Sequence, residues 1–528
     1  MGRRGRGVAG LSLAASAGLL GTYVGYPGLR KAHASTQCEV QNTNDAGAGS
    51  LRECLTGFSG GTITFADSAN GTITLASDLP EVTLTSSVAI TGNGEDRTII
   101  DGDDGLSESA AGFKFTGSGI VTLIGLTIRN TSTIDSGRTR GGAVYSSAGE
   151  VNVESSTFEE NVADFAGAIY AKDGDVSVTD STFTSNTAQD SGGAIGINGG
   201  DLQLTGSTFT DNKAEDCDPQ EGGGAIFSSN GAVEVLSSTF TGNTATGNAG
   251  DGGAIQAYRG SVTVERSTFA SNEAGYNGGA IYGYTSGSVV NSTFTGNSSG
   301  KEGGAIYLYA SDAALELNFA TVTQNTTGSG NGAVQAGELN GATVENSIVY
   351  GNTGRDVYVV FPGSLSVSHS LFSSSSSVYP TVSGASLIFG EDPLLGSLAD
   401  NGGPTQTMMP AADSPVIGAA NPVGAPATDQ RGFSRTTNGL ADMGAVQVAG
   451  EAPEPDLSQM PPSWHQAQGR EQRESVCPPG MAPSWAQWPN EGTGGWTCEY
   501  TTWWDVNEGV GGGWVTTPGL RAGSMPGR

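Results

Sequence analysis

Ser267-Thr268-Phe269-Ala270-Ser271-Asn272, then Gly278-Gly279-Ala280-Ile281, then Ser292-Thr293-Phe294-Thr295-Gly296-Asn297: within thirty-one residues one phrase is spoken, answered and spoken again. The Ser-Thr-Phe-x-x-Asn phrase recurs with its aromatic and amide at Phe158/Asn161, Phe183/Asn186, Phe209/Asn212, Phe240/Asn243, Phe269/Asn272 and Phe294/Asn297. The Gly-Gly-Ala-Ile phrase alternates with it at residues 192–195, 223–226, 252–255, 278–281 and 303–306. A fixed internal period decides architecture before any other signal, and it points to a solenoid.

Working outward from each Phe, two apolar residues stand seven and five positions upstream: Val151/Val153, Val176/Val178, Leu202/Leu204, Val233/Val235 and Val262/Val264. That alternation marks a strand with one buried face. The same frame extends to anchors Ile128, Val322, Val349 and Phe372, spaced 23 to 31 residues apart along the chain. Three short strands per turn satisfy this period, so the expected fold is all-β: a single-stranded right-handed parallel β-helix of about ten or more coils with caps at both ends. Coils stack about 4.8 Å apart, which makes ten of them a rod of roughly 50 Å. One coil cannot bury its own apolar face, so neighbours supply the core.

Each repeat position then has an expected duty. The Phe side chains form a column inside. The Asn three later takes a left-handed or bridge turn, and stacked Asn amides bond to one another and to backbone. The paired Gly residues admit positive φ or close approach. Length varies most at residues 213–221 and 244–251, on one side of the solenoid, where functional surfaces often gather.

Composition frames the rest. Residues 1–34 read as a secretory signal: Arg3, Arg4 and Arg6, an apolar stretch from Val8 to Val24, and Ala32-His33-Ala34 as a cleavage site. Its removal takes away five basic and no acidic residues, leaving 18 basic against 53 acidic. So acidic a chain repels nucleic acid, anionic lipid and polyanionic sugars. No later segment has the length and apolarity of a membrane-spanning helix, and export to the exterior or the cell surface is expected. Cys38 with Cys54 and Cys477 with Cys498 suit disulfides in that setting, and Cys217 is left over, as a free thiol or an intermolecular link.

The alternating phrases, over about residues 140–352, resemble those of chlamydial polymorphic outer-membrane proteins and similar bacterial surface β-helices. Asn42-Thr43-Asn44-Asp45, Gly49-Ser50-Leu51-Arg52-Glu53-Cys54 and Thr62-Ile63-Thr64-Phe65 look like the opening segment of many secreted bacterial β-helix proteins. Asp392-Pro393-Leu394-Leu395, Asp400-Asn401-Gly402-Gly403-Pro404-Thr405, Asp429-Gln430-Arg431-Gly432-Phe433 and Asp442-Met443-Gly444-Ala445 resemble the terminal region called choice-of-anchor Q. These resemblances imply display at a bacterial surface. Polymorphic outer-membrane proteins end in a translocating β-barrel; no series of amphipathic strands precedes Ser524-Met525-Pro526-Gly527-Arg528, so autotransport is not implied.

The expected organisation is a signal at 1–34, a cap and first coils at 35–120, the repeat region at 121–390, a terminal cap at 391–449, a Pro-rich linker at 450–474 and a tail module at 475–528. A turn at residues 51–55 plugs the first coil, held by Cys38–Cys54. Asp392, Asp400 and Asp429 carry turn chemistry rather than a metal. All seven Trp lie between 464 and 514. With Cys477–Cys498 as a staple, Trp485, Trp488, Trp496, Trp503, Trp504 and Trp514 either build a small core or present rings to sugars of a wall or glycan.

Enzymatic function is weighed on the same scaffold. A lyase needs carboxylates gripping Ca²⁺ with an Arg or Lys base, and a hydrolase needs paired carboxylates at a set separation. The position three before each anchor holds Ser155, Asp180, Gly206, Ser237, Arg266, Asn291 and His369, with no carboxylate stack. Asp103, Asp104 and Asp251 stand out only as acidic turn residues. His369 and His465 lie in different regions, which excludes a histidine metal cluster. No cofactor is expected beyond Ca²⁺ in acidic turns. The leading expectation is a structural or adhesive rod that binds a cell-wall, glycan or protein partner; the alternative is a polysaccharide lyase or glycoside hydrolase resembling pectate lyases.

Overall fold

The computed structural model describes residues 36–448, apart from 103–108, 135–139, 148, 216, 218–221, 248, 310–313 and 338–340, and the backbone of 481–487 and 494–500. The chain divides into two units, residues 1–452 and 453–528. Outside the described residues lie the signal at 1–34, the linker, Asp103, Asp104, His465, Cys477, Trp488, Trp503, Trp504 and Trp514. In the second unit Met481–Gln487 pairs antiparallel with Gly494–Tyr500, setting Trp485 opposite Trp496 and Pro483 opposite Cys498 in backbone register.

The first unit is a right-handed parallel β-helix of about twelve coils. Its Val-x-Val segments form a 13-stranded sheet, its Ile segments a 12-stranded sheet and its Phe segments another 13-stranded sheet, each built of strands one coil apart. A fourth, seven-stranded sheet runs from Val162–Phe165 to Thr326–Thr327, directly after the Asn residues. Three strands per turn therefore become four in the central coils, because the backbone after the buried Asn stays extended long enough to pair. No helix among the described residues is long and apolar enough to cross a membrane.

Registers align like with like. Val153 pairs with Val178, Phe183 with Phe209, and Ile226 with Ile255. The Phe column from Phe158 to Phe294 stacks with ring centroids 4.6–4.8 Å apart and planes within 6° of parallel. All six rings are buried, so each brings its apolar area and an offset contact to the next coil.

Beside the column runs an amide ladder. Asn186 shows the unit: its Nδ2 donates to Phe158 O (3.0 Å) and Asn212 Oδ1 (2.9 Å), while its Oδ1 accepts from Asn161 N (3.2 Å) and Asn161 Nδ2 (2.9 Å). The pattern continues through Asn325 to Asn352. It begins at Thr131, whose N–H and hydroxyl donate to Asn161 Oδ1, and ends where Asn352 Nδ2 donates to buried Asp356 (3.2 Å). Burial lifts the Asp356 carboxyl, and bonds from Ser377, Ser373 and Asn352 hold it down. Of the left-handed or bridge conformation expected of the Asn, the left-handed one is overturned. Positive φ falls one residue earlier, at Glu160 (53°), Ser185 (54°), Asp211 (54°) and Ser271 (56°). That residue turns the chain so that the Asn amide enters the core, where an unpaired amide is costly and a ladder satisfies every atom. A serine ladder runs parallel: Ser181 N donates to Ser207 Oγ (3.2 Å), and Ser207 N to Ser238 Oγ (3.1 Å).

The Gly pair splits its duties. Gly252 has φ of 68°, while a Cβ on Gly253 would lie 2.1 Å from Gly279 O in the next coil. At the start of the rod, helix Leu51–Leu55 buries Leu51 and Leu55, is capped by Ser50 Oγ, and is tied by the Cys38–Cys54 disulfide.

The sequence reading places residues 391–448 over the far end. Their contacts instead run back along the flank of the Phe sheet. Thr268 Oγ1 donates to Gln406 O (2.6 Å), Thr293 Oγ1 to Gln430 Oε1 (2.7 Å), and Gly444 N to Asn346 O (2.7 Å). Val416, Ala441 and Met443 pack there on Phe319, Ile348 and Leu371. The reason lies in the outward residues of these coils: Phe319, Ile348 and Leu371 make an apolar flank that needs a cover. Arg435 anchors the segment, fully buried, bonding Gly444 O (3.0 Å), Ala445 O (2.9 Å) and Asn291 Oδ1 over the Phe319 ring. Burial lowers its pKa to about 10, against the nearby charges of Asp429 and Asp442. Asp392 and Asp400 accept from the backbone two residues on, and Asp429 accepts from Arg431 N and Phe433 N, which is turn chemistry.

Candidate functional site

The outward residues of the Ile sheet change character in the later coils. Gln256, Tyr282, Tyr307 and Gln335 occupy one registered row. Two residues further on, Tyr258, Tyr284 and Tyr309 make a second row, with centroids 6.0 and 5.9 Å apart. Tyr282 and Tyr307 meet edge to face at 5.7 Å, and Tyr307 touches Tyr309 at 5.9 Å. In the turn between Ala274 and Ile281, Tyr276 has its hydroxyl bonded to Lys301 Nζ (2.7 Å), and the Arg259 guanidinium sits 5.4 Å from the Tyr258 ring centre. Five tyrosines in ring contact thus share three consecutive coils. Tyr284 is the most open, at 42 % exposure.

Under one edge of this face lies the residue that precedes each Gly pair: Asp251, Asn277 and Glu302 in successive coils, stacked through Gly252 N to Asn277 O and Gly278 N to Glu302 O, both 2.8 Å. Asn277 N donates to Asp251 Oδ1 (3.1 Å), and Gln335 Nε2 to Glu302 Oε2 (2.9 Å). Burial pushes the Asp251 carboxyl up to about 7, opposed by its bonds from Asn277 and the charge of Lys301. Burial and Asp251 raise the Tyr282 hydroxyl; burial and Glu302 raise that of Tyr307. Both phenols stay protonated and remain donors. Asn277 Oδ1 and Gln335 Oε1 are buried with no hydrogen-bond partner. The long turn 244–251 ends at Asp251, so this edge adjoins the most variable side of the rod.

The position three before each anchor is a left-handed corner: Ser155, Asp180, Ser237, Arg266, Asn291 and His369 all have φ between 44° and 51°, and of these side chains Asn291 is buried and binds Arg435 and Thr428 O of the terminal segment. Asp251 was visible in the sequence only as an acidic turn residue; aligning on the Gly pair, rather than on the Phe, brings out its stack with Asn277 and Glu302. Cys217 is buried, packed on Ala214 and Ala245, with its thiol donating to Asp190 O (3.4 Å). Among the described residues no three His, Cys, Asp or Glu side chains gather as a metal site.

No curated protein sequence matches the chain. Among solved structures, the catalytic unit of a thermostable GH87 alpha-1,3-glucanase from Streptomyces thermodiastaticus strain HF3-3 is similar at 15 % identity and a TM-score of 0.39, over 68 % of this chain and 70 % of that one, a likeness too loose to bear on chemistry. Residues 163–320 match the family described as right handed beta helix region, in accord with the coils seen there.

Proposed function

We propose that this protein is an exported, surface-displayed adhesive rod that holds a neutral polysaccharide along its tyrosine face. The single observation that carries the reading is the cluster of five tyrosines in ring contact across three coils. Tyrosine offers a flat apolar ring for the face of a sugar and a hydroxyl for its edge. The large acidic excess favours an uncharged chain over a uronate polymer. The Cys38–Cys54 disulfide supports an oxidising destination, as do the signal-like residues 1–34 and the terminal segment resembling choice-of-anchor Q. On this reading the Trp-rich residues 475–528 supply a second contact to wall or glycan.

Retention on insoluble neutral polysaccharides, with polygalacturonate as the charged control, tests it. The wild-type chain is expected to be held by at least one neutral matrix and released by the triple variant Tyr258→Ala, Tyr284→Ala, Tyr309→Ala, whose circular dichroism stays unchanged. Equal retention of the triple variant, or preference for polygalacturonate, overturns the proposal.

A further inference from the structure

We propose that the polysaccharide held on the tyrosine face is uncharged over most of its length but carries spaced anionic substituents, which cations standing along the Ile sheet bind; this rests on the binding reading above.

The observation is where the unpaired positive charge lies. Among the described residues, Arg52, Arg97, Lys114, Arg129, Lys213, Arg266 and Arg431 are held in ion pairs. Arg435 is not, and is buried where the terminal segment meets Asn291. The other five, Arg140, Lys172, Arg259, Lys301 and Arg355, all stand beside strands of the Ile sheet or in the turns that lead into them. Lys172, Arg259 and Lys301 are exposed and Arg140 and Arg355 half-buried, so a ligand can reach them.

In so acidic a chain a carboxylate is the commonest partner, yet four of these five cations lie against aromatic rings. The Arg140 guanidinium is 5.0 Å from the Tyr170 ring centre, Lys301 Nζ is 4.5 Å from that of Tyr276, and Arg355 is 5.5 and 5.7 Å from those of Tyr358 and Tyr379; Arg259 faces Tyr258 in the same way. A guanidinium against a ring keeps its fork of donors for an anionic oxygen. Tyr170, Tyr358 and Tyr379 continue the registered row of Tyr282 and Tyr307 in both directions, and Tyr379 is 41 % exposed.

The cations form three stations: Arg140 with Lys172, Arg259 with Lys301, and Arg355. Tyr170 leads through Gly196 and Phe227 to Gln256, and Gln256 through Tyr282, Tyr307 and Gln335 to Tyr358. Three and four coils separate the stations, about 14 and 19 Å at 4.8 Å per coil. One coil rises about as far as one sugar of an extended chain. A chain lying lengthwise therefore meets a station only every few sugars. An anion on every sugar would face the acidic excess of the rod between stations.

Each neutral matrix of the retention panel, compared with its own sparsely carboxymethylated and sparsely phosphorylated forms, tests this on the full chain. At least one substituted form is expected to bind about tenfold more tightly than its parent, since exposed ion pairs are weak singly and several act together. That gain should vanish at high salt. The triple variant Lys172→Gln, Arg259→Gln, Arg355→Gln should lose the gain, read as the ratio of substituted to parent matrix for the same preparation. Arg97→Gln, which removes an exposed charge paired with Asp96, should keep it. Equal binding of substituted and parent forms, a gain that survives the triple variant, or a gain lost as fully with Arg97→Gln overturns the inference and leaves the tyrosine reading standing; no binding to any of the matrices overturns both.

Discussion

Replacing Asn243 by Ala removes four hydrogen bonds from the middle of the amide ladder. Asn243 Oδ1 accepts from Asn212 N (3.1 Å) and Asn212 Nδ2 (2.9 Å), and its Nδ2 donates to Phe209 O (3.0 Å) and Asn272 Oδ1 (2.9 Å). The losses are unequal. Asn272 Oδ1 keeps the Asn243 backbone N–H, and Asn212 Nδ2 keeps Phe183 O. Two donors on fully buried Asn212, its backbone N–H and one amide hydrogen, are left with no acceptor. At about 1–3 kcal/mol for each orphaned group, the substitution should cost about 4 kcal/mol. Asn243→Asp sharpens the test: it keeps both acceptors for Asn212 but sets oxygen against Phe209 O and Asn272 Oδ1. It should be worse than Ala at neutral pH and recover under acid, where the carboxyl regains one donor. Urea unfolding gives the totals, and hydrogen exchange on residues 209–272 gives the local opening, which matters because a stacked array need not unfold as one. A cost below about 1 kcal/mol for Ala, or an Asp variant indifferent to pH, would refute the view that the ladder is held by its amides and not merely lined by them.

Two further outcomes follow from other parts of the rod. Opening the Cys38–Cys54 bridge by the paired Ser substitution frees a loop of sequence separation 16 and should destabilise the first coils by about 3 kcal/mol, read as lost exchange protection over residues 37–65 with the Phe column unaffected. Burial raises Asp251 from 3.8 to about 7, so its contribution is fully present below about pH 4 and is lost as pH rises through 7, by up to about 4 kcal/mol at 1.36 kcal/mol per unit; wild-type stability should decline over that window, and Asp251→Asn should remove the decline in matched urea titrations.

The ladder of phrases was legible because a parallel coil sets each position against its own image. Phe meets Phe, Asn meets Asn, and a sequence period is enough to say so. The Cys38–Cys54 pairing rests on a different signal, two cysteines sixteen residues apart near the start of a chain expected to be exported. Reading by repeats failed at the turn before Asn, since several residue types, Glu160, Ser185 and Asp211 among them, accept the left-handed corner and leave no signature. Nor does the corner slot three before each anchor carry paired acids; the registered acidic residues stand beside the Gly pair, in a slot that alignment on the Phe does not bring into line.

By itself the sequence determined the coil: its period, its stacked core and its amide ladder follow from which residues repeat. Only the tertiary structure decided which non-repeating residues meet. Tyr258, Tyr282, Tyr284, Tyr307 and Tyr309 occupy two different repeat positions and become one face when three coils stack on the outside of the Ile sheet. Asp251 and Glu302 are neighbours only across two turns. Arg435 reaches Asn291, 144 residues away in sequence, because the terminal segment folds back along an apolar flank. Repeats announce themselves, since identical residues satisfy one another in register; a surface is made of exceptions to the repeat, and their meeting depends on coil register and on what remains to be covered.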